Sequence, residues 1–187
     1  MQHCKKMNSP IKYKKFKRDT LLKYLPNNVV AEVGVAIGNF SEKIIENNNP
    51  TKLILIDAWQ NFDLGYPDGN MVSNEEQNQR YKLVKQKFRK NPNISIIRDK
   101  SIPAAEQIHD GLLDWVYIDA DHSFKGCLAD LQAYDNKVKK DGYLCGHDWL
   151  GQKKRDGFGV NEAVKHFVKS RGYFLTLVTT ERNYKSY

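Results

Sequence analysis

The chain has 187 residues, 40% of them hydrophobic, which suits one domain with a sizeable core and excludes a mostly disordered chain. No apolar run approaches the ~20 residues needed to span a bilayer, and the N-terminal MQHCKKMNSP lacks the apolar stretch of a signal peptide. The three cysteines, Cys4, Cys127 and Cys145, are too few and too widely spaced for a disulfide framework or a zinc site, so a reduced, cytoplasmic setting with no membrane contact is expected. The formal charge of +8 would suit a polyanion, but the basic patches YKKFKR (13–18), KVKK (137–140) and KKR (153–155) come with no nucleic-acid module, and a solvated lysine-rich surface is the simpler reading.

In chain order, residues 10–25 read as a helix with Ile11, Phe16, Leu21, Leu22 and Leu25 on its apolar side, ended by Pro26. Short apolar runs then alternate with amphipathic segments. Strands are expected at 29–33, 53–57, 94–98, 114–119, 142–147 and 173–179, and helices at 39–48, 74–90, 102–109, 123–138 and 159–171. Ser73-Asn74-Glu75-Glu76 is a capping-box pattern at the start of the second of these helices. Gly142 and Gly172 sit where helices hand over to strands. Alternating strands and helices predict an α/β fold, a doubly wound and mostly parallel sheet of seven strands. The last segment, YFLTLVTT followed by Glu181-Arg182-Asn183 and a short tail, predicts a C-terminal antiparallel edge hairpin. The whole of 1–187 reads as a single domain, with 1–27 as a helical extension and 28–187 as a cofactor-binding core.

The chemistry gathers at strand ends. In a doubly wound sheet, ligands bind beyond the carboxyl ends of the strands where strand order reverses. The first strand, VVAEV, leads into Gly34-Val35-Ala36-Ile37-Gly38, where glycines allow a tight turn and close approach of a ligand. The helix that follows would aim its N-terminal amides at that ligand. The second strand ends in Asp57, at the distance expected of an acid that binds ribose hydroxyls. The glycine spacing is GxxxG rather than GxGxxG, a poor fit to a pyrophosphate, and Glu32 before it suits a cationic cofactor end. Together these features predict a nucleoside-bearing cofactor.

EVGVAIG, LILID, IIRDKS, DWVYIDADHSFKGCLADL and DGYLCGHDW together resemble a class I S-adenosylmethionine-dependent methyltransferase, within a small group having DADHS(F/Y) and GHDW-like motifs. The resemblance covers about 29–170. It implies that Glu32, Gly34 and Gly38 border the methionine part of the donor, that Asp57 holds the ribose, and that Asp99 and Ser101 lie near the adenine. Ser101 also reads as a helix N-cap.

Asp119, Asp121 and His122 follow the apolar WVYI, and His147-Asp148 ends the next strand. Neighbouring parallel strands would bring these side chains to one rim, an oxygen-rich set suited to Mg²⁺ or another hard divalent cation. The resemblance extends to metal-dependent O-methyltransferases of the catechol and caffeoyl-coenzyme-A type. It implies a metal on Asp119 and Asp148; Trp149 stands where that group has a ligand asparagine, and His147 would substitute for it. His122 aligns with their catalytic lysine and is the candidate base, with Asp119 beside it, while Asp121 and Asp119 would face the cofactor. Each residue also has a plainer role, as helix cap or packing histidine. The aromatic stretch WQNFDLGYPDGNMVS should form a substrate loop over the rim, and WLGQKKRDGFG should flank it, with Lys153, Lys154 and Arg155 free to meet an anionic acceptor.

The expected activity is O-methylation of a small polar or sugar-like acceptor, with a divalent metal assisting. The alternatives are an RNA ribose methyltransferase and a catalytically silent cofactor-binding protein. A nicotinamide oxidoreductase fits less well, because the Tyr81/Lys85 pair of suitable spacing falls in a helix away from the rim.

Overall fold

The computed structural model describes residues 16–62, 66, 68–70, 72–150, 156–181 and 184–187. Five parallel strands form the sheet: β1 (Val29–Val33), β2 (Lys52–Asp57), β3 (Ile94–Arg98), β4 (Leu113–Ile118) and β5 (Val138–Gly146). Their spatial order is β3-β2-β1-β4-β5. The order reverses between β1 and β4, and this places the crevice beyond the carboxyl end of β1.

The strands read as continuous apolar runs because both faces of the sheet are covered. Alternate residues go to opposite sides. Ala31, Val33, Ile54, Ile56, Val116 and Ile118 face one core layer, closed by α4 (Ser101–Glu106), α5 (Phe124–Asp135) and α6 (Val160–Arg171). Val30, Leu53, Leu55, Trp115 and Tyr117 face the other, closed by α1 (Arg18–Leu22), α2 (Asn39–Asn47) and α3 (Asn74–Phe88). Ser73 caps α3 by accepting from the Glu76 amide at 3.2 Å, and Ser123 caps α5 by accepting from the Gly126 amide at 3.0 Å. Gly172 ends α6 with φ of 68°. Among the described residues no helix is long and apolar enough to cross a membrane.

Five expectations change. The sheet has five strands rather than seven, and the remaining pair, β6 (Trp149–Leu150) and β7 (Tyr184–Lys185), forms a separate antiparallel ladder. Residues 173–179 are not a strand. The Thr179 amide donates to the Ser186 carbonyl and the Thr180 amide to the Phe16 carbonyl, so this stretch links the 184–187 segment to Phe16, just ahead of α1. Tyr187 exchanges two backbone bonds with Gly146 and takes the edge position beside the end of β5. The predicted helix at 10–25 is helical over 18–22 within its described part; residues 10–15 lie outside the described residues. Lys100, not Ser101, is the N-cap of α4, and Gly142 lies inside β5.

The 16–27 segment is built into the domain. Leu22 is fully buried, and the Asn48 side-chain amide donates to the carbonyls of Leu22 and Leu25 at 2.8 and 2.9 Å. Trp115 Nε1 donates to the Pro26 carbonyl at 2.7 Å.

Candidate active site

The glycine turn sits at the switch point. Gly34 has φ of 90°, and a Cβ there would lie 1.8 Å from the Asp119 carbonyl oxygen. The turn after β1 and the end of β4 are therefore in backbone contact, which a side chain would prevent. Gly38, φ 77°, precedes α2 in the left-handed region. Asp57 organises this turn. One carboxylate oxygen accepts from the amides of Val35 and Ala36 at 2.9 Å each, and the other accepts from the Trp59 amide at 2.7 Å. Burial raises its pKa, against the pull of those three amides. Asp57 thus braces the loop that would cradle the donor, with one acceptor site left on the oxygen that takes the Trp59 amide.

Beside Asp57 lies an open cleft of about 370 Å³, bounded by Ala58–Gln60, Asn74, Asn78 and Arg98–Lys100. Asp99 belongs to its wall and accepts from the Lys100 amide and from Gln107 Nε2. Ser101 turns toward α5 instead, where its hydroxyl donates to Asp130 at 2.5 Å.

Glu32 is buried beneath the turn and accepts from the Ser41 hydroxyl at 2.5 Å. Burial pushes its pKa up to about 8, the Ser41 bond only partly offsetting it. The folded state therefore holds this proton more tightly than the unfolded chain. The contribution is fully favourable below the unfolded value of ~4.3 and is lost as pH rises through about 8. In thermal melts, Glu32→Gln is expected to gain stability relative to wild type between those limits, with the difference in Tm levelling off above pH 8 to 9. A constant difference from pH 4 to 9 would refute this assignment.

The second half of the site is a cluster of acids around an imidazole. His122 Nδ1 lies 2.9 Å from Asp68, and its Nε2 lies 3.3 Å from Asp119 and 3.0 Å from Asp148. Burial alone would lower the His122 pKa; hydrogen bonds to Asp119, Asp148 and Asp68 outweigh it and bring the value up to about 12. As an imidazolium it is a donor, and Asp119, a quarter exposed at the rim, is the more accessible acceptor beside it. His147 Nδ1 lies 3.1 Å from Asp148 and 3.7 Å from Asp119. Asp148 is buried and sits at φ of 57°, a conformation uncommon outside glycine. Burial would raise its pKa, but the bonds from His122 and His147 bring it below the usual carboxylate range.

Ligand atoms of Asp119, His122 and Asp148 all lie within 4.8 Å of one another, so these three residues could share one cation that displaced the proton from His122 Nε2. Asp68 on the far nitrogen would orient the imidazole, as second partners of metal-bound histidines do. His147, rather than His122, was the sequence-based choice for this set. Asp121 serves the loop: it accepts from the Tyr66 hydroxyl at 3.1 Å and from the Ser123 amide at 2.8 Å.

Tyr66, Asp68 and Phe158 escaped the sequence reading as individual residues, although the loops that carry them were expected at the rim. The Tyr66 hydroxyl accepts from the His122 amide at 2.8 Å, and Phe158 stacks on the His122 ring at 4.8 Å between centroids. Lys153, Lys154 and Arg155 lie outside the described residues.

Residues 31–149 match the sequence profile of a family described as a methyltransferase domain. The chain belongs to this methyltransferase family. It is accordingly an S-adenosylmethionine-dependent methyltransferase, with the Rossmann-like fold of that class. Solved structures agree at the level of the fold. An O-methyltransferase family protein from Burkholderia thailandensis superposes with a TM-score of 0.62 at 8% identity, over 88% of this chain and 51% of that one. A SAM-dependent methyltransferase from Aquifex aeolicus gives 0.53 at 16% identity, over 89% and 85%. The trans-methyltransferase CalH, in complex with S-adenosylhomocysteine, gives 0.59 at 13% identity, over 90% and 53%. The methyltransferase chain described here spans about half the length of the Burkholderia and CalH proteins. Comparison with curated proteins gave no match.

Proposed function

We propose that this methyltransferase methylates a hydroxyl group on a small polar acceptor. The observation that carries the reading is the convergence of Asp119, His122 and Asp148 at the ends of β4 and β5, next to the Gly34 turn. Glu32 and the glycine turn would receive the methionine end of the donor, Asp57 and Asp99 the nucleoside end. An acceptor hydroxyl arriving at the rim beside the Tyr66–Phe158 ring pair would meet Asp119, the most exposed acid of the cluster and the group placed to take its proton. The cluster's net negative charge disfavours an anionic acceptor at this point and suits a neutral polyol or a cationic one.

The donor set also fits a hard divalent cation, with Asp119, His122 and Asp148 as the residues that would hold it. Such an ion would lower the pKa of a bound hydroxyl and steady the oxyanion. The test is donor consumption across a panel of hydroxylated small molecules, with Mg²⁺, with Mn²⁺ and with chelator. Turnover of a hydroxyl acceptor supports the assignment, and a rate at least ~100-fold lower in chelator supports the assisting ion. Turnover confined to amines or thiols would overturn the hydroxyl reading.

A further inference from the structure

The basic stretch at 13–18 reads as solvated surface in the sequence, yet its last residue is half-buried in the site. The Arg18 guanidinium lies over the Phe40 ring, 4.2 Å from its centroid. Phe40 is the second residue of α2, two positions after Gly38, so the guanidinium sits beside the glycine turn. Its backbone is anchored there, the Arg18 amide donating to Glu181 Oε1 at 2.5 Å. Electrostatically it is flanked by the Tyr117 hydroxyl, Asp119 and Glu32. Among the described residues no carboxylate forms a close ion pair with the guanidinium; Asp119 is paired with His122 and Glu32 with Ser41. Tyr117 in turn shares a hydrogen bond with Ser186 at 2.6 Å.

The turn is thus bordered by a fixed cation and by the Asp119 carboxylate, while Glu32 beneath it keeps its proton near neutral pH. That pattern complements a zwitterion: an ammonium for Asp119, and a carboxylate for the guanidinium fork, which binds carboxylates in a bidentate manner. We infer that Arg18 is the residue that receives the carboxylate of the donor's amino-acid end, making the N-terminal segment part of the cofactor site. This rests on the donor position proposed above. The stacking on Phe40 holds the fork in one orientation, so less freedom is lost on binding.

The experiment is calorimetry of the full chain with two ligands, S-adenosylhomocysteine and S-adenosyl-3-thiopropylamine, which differ by the carboxylate alone. The variants are Arg18→Met, which keeps the stem over Phe40, and Arg18→Lys, which keeps the charge without the fork. Arg18→Met is expected to weaken S-adenosylhomocysteine ~10- to 100-fold, as loss of a charge-assisted bidentate bond does, and to leave the amine within about 2-fold. Arg18→Lys should fall between. An equal loss for both ligands would assign Arg18 a structural role and overturn the inference, as would no loss for either. If wild type binds neither ligand, the donor position itself fails, an outcome distinct from the other two.

Discussion

Gly34→Ala is expected to unfold much of the population or abolish donor binding outright. The new Cβ would stand 1.8 Å from the Asp119 carbonyl oxygen and 2.5 Å from its carbonyl carbon. Both are backbone atoms at the end of a central strand and cannot swing aside. The φ of 90° adds strain that no L-residue relieves. Overpacking of this kind costs ~1–3 kcal/mol or more and the backbone conformation another ~1–2 kcal/mol, which together remove a large part of ordinary domain stability. Denaturant titration of the variant should show the loss directly. Any fraction that remains folded should have the β1 and β4 ends parted, and with them the turn and Asp119. A variant that keeps wild-type stability and donor affinity would mean that the two strand ends are not in contact.

Asp148→Asn is expected to lower kcat ~10²- to 10³-fold while leaving the affinity for S-adenosylhomocysteine within a few-fold. Asparagine is chosen because it tolerates the left-handed backbone that Asp148 adopts at φ of 57°, so the substitution removes charge without forcing the turn. It takes one of three carboxylates from His122 and the nearest carboxylate from His147. Loss of a buried charge partner should also lower stability by ~1–3 kcal/mol, since Asp68 and Asp119 remain on the imidazole.

The pH dependence of that difference follows from the two shifts. The Asp148 pKa is depressed in the fold, so its contribution is present above the unfolded value of ~3.9 and is lost as pH falls below it. The His122 pKa is raised to about 12, so its contribution is complete below the unfolded value of ~6.5 and is lost as pH rises toward 12. The stability gap between wild type and Asp148→Asn should therefore narrow in acid and again in strong alkali. Unchanged turnover, or a gap that is widest at pH 3, would remove Asp148 from the working cluster.

Much of this arrangement was legible in the residues themselves. The five parallel strands and the helices between them follow from apolar runs and 3.6-residue periodicity, because a doubly covered sheet imposes those patterns locally. The Ser73 and Ser123 caps and the Gly172 stop are equally local, each depending on a hydrogen bond or a φ value within a few residues. The loop glycines and the acids at strand ends announced a crevice, since Gly34, Asp57, Asp119 and Asp148 occupy positions that topology alone sends to one rim.

Other features depend on partners distant in the chain, to which local pattern is blind. YFLTLVTT has every attribute of a strand, but its amides find Ser186 and Phe16, and Tyr187 occupies the edge at Gly146. The state of His122 is set by Asp68, 54 residues away, as much as by its neighbour Asp119. Arg18 reads as one more surface charge until Phe40 and Glu181 bring it to the glycine turn. The sequence by itself determined the class of fold, the strand-end rim and the kind of chemistry its acids support. Only the tertiary structure decided which charges face one another there, because electrostatic pairing is a matter of a few ångströms in space and leaves no period along the chain.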